Sequence, residues 1–186
     1  MSFEPPPALC QQIDALVARY PQKRSAVLMV LHALQEHYGH LTLEALEWTA
    51  RRLDMEPIHV DELVTFYPMF RQEPVGRLHL KICRTLSCAL AGSHRLHRRL
   101  CEKLGLDPDH RGPQTTPDGA VTVEFVECLA TCDAAPVALA NDRFLEKADW
   151  PTLETLITQA RDAASGQSQP PSHPIPSSHS RGGSEC

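Results

Sequence analysis

Four cysteines in two close pairs constrain the fold of this chain more than any other feature of its sequence. One pair is Cys83 and Cys88 in the run CRTLSC, and the other is Cys128 and Cys132 in the run ECLATC. Each pair follows a strand-like apolar segment, so the pattern predicts two strands whose ends lie at one site. Four thiolates make a complete shell for a soft metal centre, either an iron–sulfur cluster or zinc.

The spacing within the pairs helps to choose between these metals. Four residues separate the cysteines of the first pair and three separate those of the second, whereas two residues often separate the cysteines of zinc knuckles. The spacing therefore favours iron–sulfur ligation, and a structural zinc site in an interaction module is the alternative. A dithiol oxidoreductase is a weaker alternative, because the sequence has no CxxC motif.

The composition predicts an ordinary globular protein without a membrane span. Hydrophobic residues make up 42% of the 186 residues, and the longest strongly apolar stretch, residues 26–34, is too short to cross a bilayer. The start MSFEPPPALC has no pattern of a secretory signal, so we expect a cytoplasmic protein rather than a secreted, disulfide-linked one. The net charge of -5 argues against nucleic-acid binding. We interpret the basic run HRLHRRL as a solvated helix face, with a docking patch for an acidic partner as the alternative.

The hydrophobic periodicity changes along the chain and predicts two domains and a tail. Residues 1–73 carry apolar stripes at helical spacing, which is typical of a small helical bundle. Residues 74–163 follow the order strand, helix, three strands, helix, so we expect an α/β (α+β) fold with a four-stranded sheet and flanking helices. Within them, residues 105–119 are predicted to form a loop and Asn141-Asp142 a hairpin turn. Residues 164–186 are rich in Ser and Pro and predict a disordered tail.

Several other residues invite a functional interpretation that we do not adopt. Cys101 lies on the apolar face of a predicted helix, and we interpret it as a buried small hydrophobe. We assign packing to Cys10 and no ligand role to Cys186. Three histidines without HExxH spacing are interpreted as surface residues: His32, His37 and His40. Three aromatic residues of the run HVDELVTFYPMF are interpreted as core residues: Phe66, Tyr67 and Phe70.

Arg84 lies inside the first cysteine loop. A thiolate-ligated iron–sulfur cluster is anionic and becomes more negative on reduction, so a neighbouring cation or N–H dipole favours the reduced form. Arg84 and the backbone N–H groups of residues 84–88 and 129–133 are therefore candidates for setting the reduction potential. The alternative for Arg84 is a side chain that points to solvent.

The cysteine runs, together with HYGHLTLEALEWTARRLDMEPIHVDELVTFYPMFRQEPVGR and TTPDG, resemble the thioredoxin-like [2Fe-2S] subunit of respiratory complex I, the NADH-quinone oxidoreductase E subunit. The similarity covers roughly residues 8–162. It implies a thioredoxin-like domain that binds one [2Fe-2S] cluster. The ligands that match the family by position are Cys83, Cys88, Cys128 and Cys132. The family usually has glycine where this chain has Ala130, so a positive φ there is expected to strain the loop.

The resemblance also implies which partners complete the reaction. Because the sequence has neither a GxGxxG fingerprint nor a Walker loop, FMN and NADH are expected on a partner that binds flavin and NADH. The chain is then expected to transfer electrons without catalytic residues of its own. Its other expected partners are further complex I subunits, at the cytoplasmic face of the inner membrane but without insertion into it. An equivalent subunit of an NAD-linked hydrogenase or formate dehydrogenase is the alternative.

Overall fold

The computed structural model describes residues 3–110 and 112–163, so the predicted tail at residues 164–186 lies outside the described part of the chain. The chain divides into two compact units between Gln72 and Glu73. The first unit is helical, and the second contains a β-sheet. Within the described ranges, no helix combines the length and the apolar character that are needed to cross a bilayer.

Four α-helices build the first unit. They are α1 (Pro7–Val17), α2 (Val27–Tyr38), α3 (Leu43–Arg52) and α4 (Pro57–Phe66), and a 3-10 helix at Lys23–Ala26 precedes α2. Gly39 ends α2 with a left-handed φ of 82°, and the Thr42 hydroxyl begins α3 by accepting a hydrogen bond from the N–H of Ala45. The helices share one core, which Ile13 and Leu34 occupy without any exposure. The helical bundle expected from the sequence is confirmed.

Burial tests three interpretations for this unit, which concern Cys10, three aromatic residues and three histidines. Cys10 is half-buried and packs against the helical core, as expected. Of the three aromatic residues interpreted as core, Phe70 is buried and Tyr67 packs against the core, but the prediction for Phe66 is wrong. This residue is 76% exposed, because it lies on the side of α4 opposite the buried Val64. His37 is exposed, and His32 and His40 are half-buried.

A mixed sheet organises the second unit. Its strands are β1 (Leu78–Cys83), β2 (Gln114–Thr115), β3 (Val121–Val126), β4 (Ala138–Ala140) and β5 (Arg143–Leu145), in the spatial order β2-β3-β1-β4-β5. β1 and β3 are parallel, with Cys83 opposite Val126, and the other neighbours are antiparallel. Because parallel strands point the same way, the carboxyl ends of β1 and β3 lie side by side at one edge of the sheet.

The predicted number of strands was wrong by one. The structure places β2 inside residues 105–119, which the sequence predicts as a loop. Its two residues pair with β3, and the hydroxyl groups of Thr115 and Thr122 lie 2.8 Å apart. A two-residue strand is too short to show the alternation by which strands are recognised. The hairpin between β4 and β5 is confirmed, with Asn141 in its turn at a φ of 54°.

Three α-helices complete the second unit: α5 (Leu86–Leu90), α6 (Ser93–Leu104) and α7 (Trp150–Asp162). Both α6 and α7 contact β1, and their apolar residues Leu100 and Leu153 are fully buried with Leu80 of that strand. Cys101 of α6 is fully buried as well, and burial raises the pKa of its thiol to about 11. The interpretation of Cys101 as a buried small hydrophobe is therefore confirmed.

His97 departs from the expected solvated face of the basic run, because only 4% of it is exposed. Its ring stacks on Phe125 with centroids 4.2 Å apart. Burial lowers the pKa of His97, and the nearby His94 and Arg98 lower it further. The unfolded chain therefore binds a proton at this residue at a higher pH than the folded chain does.

The stability of the protein is expected to fall as the pH drops from about 7 through the ordinary histidine pKa of about 6.5, because only the unfolded state gains the proton of His97 there. A His97→Gln variant cannot bind that proton. Thermal unfolding midpoints measured between about pH 5 and pH 8 should therefore depend less on pH in the variant. Equal pH dependence in both chains would show that His97 does not contribute.

Candidate metal centre

The carboxyl ends of β1 and β3 bring the two cysteine pairs to one place. Cys83 is the last residue of β1, and Cys88 follows on α5. Cys128 lies two residues beyond the end of β3, and Cys132 begins a 3-10 helix at Cys132–Ala134. The Sγ atoms of Cys128 and Cys132 are 3.7 Å apart, the thiols of Cys83 and Cys88 interact, and Cys88 also feels the charge of Cys132. The structure thus assembles the four predicted ligands.

The two pairs differ in exposure. Cys83 and Cys88 are 1% and 2% exposed and pack with Ala134 and Val137, whereas Cys128 and Cys132 are exposed. One side of the site is therefore held by apolar packing, and the other side faces solvent. This arrangement keeps two sulfurs fixed by the core and leaves two accessible to a partner.

Hydrogen bonds set the acidity of the buried pair. Burial by itself raises the pKa of Cys83, but the side chain and N–H of Thr85 and the N–H of Leu129 outweigh it, so that the pKa is lowered. Burial raises the pKa of Cys88, although the N–H of Val137 acts against the shift. Cys83 is therefore the thiol of this pair that ionises more readily.

The two thiols of the exposed pair also differ in acidity. The N–H of Ala130 donates to Cys128 Sγ at 3.3 Å, and this bond, with contacts from Thr85 and Cys132, lowers the pKa of Cys128. The interaction with Cys128 raises the pKa of Cys132. Each strand end thus carries one thiol that ionises readily, and N–H groups favour its anionic form.

The sequence predicted only part of this environment. Three of the N–H donors to sulfur, those of Thr85, Leu129 and Ala130, lie in the segments 84–88 and 129–133 proposed from the sequence. The donor Val137 does not, because it precedes β4, and only sheet pairing brings that segment beside β1. The Thr85 hydroxyl was missed too, because residue type alone does not show which group a threonine hydroxyl contacts.

Arg84 is paired rather than free. Its Nε atom lies 2.9 Å from Oε1 of Glu127, a second guanidinium nitrogen contacts the same oxygen, and its backbone N–H donates to Val126 O. A carboxylate directly before Cys128 therefore offsets the cation that was proposed to favour the reduced form. The side chain is also 48% exposed, and water weakens such a pair further. Neither an isolated cation nor a purely solvent-directed side chain describes Arg84.

Ala130 has the positive φ that the comparison with glycine led us to expect. Its φ is 61°, which places an alanine Cβ in the left-handed region. The same backbone geometry aims its N–H at Cys128 Sγ. The loop between Cys128 and Cys132 therefore has a left-handed residue at Ala130, at the expense of local strain.

An Ala130→Gly variant is expected to be more stable than the natural chain by about 0.5–1 kcal/mol. Glycine removes left-handed strain of about 1–2 kcal/mol from the folded state. It also increases the conformational entropy of the unfolded chain, which offsets part of this gain. The thermal unfolding midpoint should rise by a few degrees, while an Ala130→Val variant, with a branched side chain at the same φ, should unfold at a lower temperature. A lower midpoint for Ala130→Gly would contradict the strain.

The chemistry of this donor set fits a two-iron cluster. All four donors of the site are cysteine sulfurs, the ligands that iron–sulfur clusters take. A [2Fe-2S] cluster takes four cysteine thiolates spread over two irons. The site offers four sulfurs in two pairs, one pair after each strand, which matches four thiolates shared between two irons.

Comparisons with known proteins agree with this chemistry. The thioredoxin-like [2Fe-2S] ferredoxin profile matches residues 13–161. The NADH-quinone oxidoreductase E subunit designated 2 in Rhizobium meliloti (strain 1021) is 42% identical over 153 residues, covering 82% of this chain and 89% of the relative. The NADH-quinone oxidoreductase E subunit of Mycobacterium tuberculosis (strain ATCC 25618 / H37Rv) is 34% identical over 160 residues, covering 84% of this chain but 62% of the relative.

A solved structure is similar as well. The NAD+-reducing [NiFe]-hydrogenase in its H2-reduced state matches with a TM-score of 0.60 and 25% identity, over 71% of this chain. This chain spans only 22% of the hydrogenase chain, so the likeness concerns one part of a larger protein. The sequence profile, the relatives and the sheet edge that gathers the cysteines lead to one conclusion: this chain belongs to the thioredoxin-like [2Fe-2S] ferredoxin family.

Proposed function

We propose that this chain is the electron-transfer subunit of the NADH-oxidising module of an NADH-quinone oxidoreductase and carries one [2Fe-2S] cluster. The observation that carries the proposal is the meeting of two cysteine pairs at the carboxyl ends of β1 and β3. The two relatives that are NADH-quinone oxidoreductase E subunits support the choice of complex.

Four residues are proposed to hold the cluster: Cys83, Cys88, Cys128 and Cys132. When bound, such a cluster takes up and releases one electron at a time. Cys83 and Cys88, which are buried with Ala134 and Val137, would hold the cluster from the buried side of the site. The N–H of Ala130 stabilises negative charge on Cys128, and the exposed side of the site is where a partner can approach.

The partners in this proposal follow from what the chain lacks in sequence. Without a dinucleotide or phosphate-binding fingerprint, it leaves NADH and FMN to a flavin subunit of the same complex. The remaining partners are other subunits of that complex. We place the chain peripherally, at the cytoplasmic face of the inner membrane, through those subunits.

The similarity to an NAD+-reducing hydrogenase favours a second candidate, in which the chain serves the same electron-transfer role in a hydrogenase. The site would be the same and the electron acceptor would differ. The bound partner therefore decides between the two candidates.

Purification of the chain from its native cells tests both. Copurification with a flavoprotein and with membrane-embedded subunits is the result expected for an NADH-quinone oxidoreductase. Copurification with a nickel-containing subunit would support the hydrogenase instead. An isolated chain that contains zinc, has no colour and gives no EPR signal on reduction would exclude both and support the structural zinc site.

A further inference from the structure

Thr85 occupies the N-cap position of α5 but does not cap the helix. Its φ and ψ of -78° and 168° almost equal those of Thr42 at the N-cap of α3, which are -81° and 163°. The Thr42 hydroxyl accepts a hydrogen bond from a backbone N–H of its helix, and the Thr85 hydroxyl accepts none. Two threonines with the same backbone conformation thus use their hydroxyl groups differently.

The Thr85 hydroxyl is directed to the cysteines. Its Oγ1 lies 3.2 Å from Cys83 Sγ, within hydrogen-bond distance for sulfur. The hydroxyl therefore contacts a sulfur of the buried pair. Because a hydroxyl has one proton to donate and a thiolate can only accept, the hydroxyl is the donor when Cys83 is ionised.

We propose that Thr85 is a positioning residue for the [2Fe-2S] cluster, and that its hydroxyl donates a hydrogen bond to a ligand thiolate and thereby favours the reduced form. Reduction increases the negative charge on the sulfurs, and hydrogen bonds to a more negative acceptor are stronger. The inference rests on the proposed function, since it needs the four cysteines to bind the cluster.

The test compares the cluster-loaded full chain with Thr85→Val, in which a methyl group replaces the hydroxyl at nearly the same volume. Thr85→Val is expected to keep its iron and sulfide and to change the ratio of reduced to oxidised cluster about tenfold towards the oxidised form. For a one-electron couple this is a drop of about 59 mV in midpoint potential. Thr85→Ser, which retains the hydroxyl, should have a potential close to that of the natural chain.

Thr42→Val is the matched control, because it removes the same atom from a threonine that does cap its helix. This variant should unfold at a lower temperature and leave the potential and the EPR spectrum of the reduced cluster unchanged. If the role of Thr85 were merely structural, Thr85→Val would likewise lower the unfolding temperature and leave the potential unchanged.

The possible outcomes distinguish a failure of this inference from a failure of the proposed function. A loaded Thr85→Val chain with an unchanged potential would overturn the inference and leave the proposed function intact. If Thr85→Val loses the cluster but Thr85→Ser retains it, the result supports the role of the hydroxyl. Loss of the cluster from both variants would overturn the proposal. A natural chain that binds no [2Fe-2S] cluster would instead refute the proposed function.

Discussion

Replacement of Cys83 or Cys128 by alanine is expected to abolish the [2Fe-2S] cluster. A cluster of this type uses four cysteine thiolates, and the loss of one leaves an iron with an incomplete set of protein ligands. Cys83 and Cys128 lie at different strand ends, so the two variants test both halves of the site. Iron and inorganic sulfide should fall close to zero, and the EPR signal of the reduced cluster should disappear.

Cys101→Ala is the matched control for these variants. Cys101 lies in the same unit and is fully buried, but it packs in the core beneath the sheet rather than at the strand ends. Its replacement leaves a small cavity, which should lower the unfolding temperature without loss of iron. Full iron content and an unchanged EPR spectrum in Cys128→Ala would remove Cys128 from the ligand set.

Gly76→Ala is expected to destabilise the second unit by about 1–3 kcal/mol or more, because the new methyl group has no space. A Cβ at Gly76 would lie 2.8 Å from the N atom of Val121 and 2.9 Å from the carbonyl carbon of Ala120. These are backbone atoms at the start of β3, so rotation of a side chain cannot relieve the contact. The N–H of Gly76 also donates to Thr122 Oγ1 at 2.6 Å, which holds the segment before β1 against β3.

Gly105→Ala separates this steric cause from the general effect of replacing glycine. Gly105 ends α6 with a φ of 70°, and nothing lies within 4 Å of the position that its Cβ would take. Its replacement adds left-handed strain of about 1–2 kcal/mol without any clash. Thermal unfolding of both variants measures the difference, and a Gly76→Ala midpoint close to that of the natural chain would show that the strands move apart easily.

Much of the fold was predictable because local patterns determine it. The stripes of apolar residues predicted the helices of the first unit, and the alternation before Cys83 and Cys128 predicted β1 and β3. The edge strand β2 was missed because two residues carry no periodicity. Phe66 was misassigned because an apolar side chain at a helix end has no partner that the sequence can reveal.

The environment of the candidate site was less predictable than its ligands. Thr85 and Ala130 are two positions from the sulfurs they contact, but other residues of the site come from distant segments, and their roles depend on which strands pair. Val137 lies near Cys88 because β4 pairs with β1. Glu127 offsets the charge of Arg84 because β3 also pairs with β1, which places the residues after the two strands side by side. Hydrogen-bond partners of this kind follow from the register of the sheet rather than from residue type.

The sequence by itself determined that four thiolates stand in two pairs after two strands, because cysteine spacing and apolar alternation are local properties of the chain. The resemblance to the family added that Ala130 stands where the family usually has glycine, although the φ of 61° came from the structure. Only the tertiary structure decided that one pair is buried and the other exposed, and that the Thr85 hydroxyl contacts sulfur rather than its helix. Burial depends on segments far apart in the chain that meet only when β1 and β3 align, whereas Thr85 and Cys83 are two residues apart and residue type alone does not show which group the hydroxyl contacts.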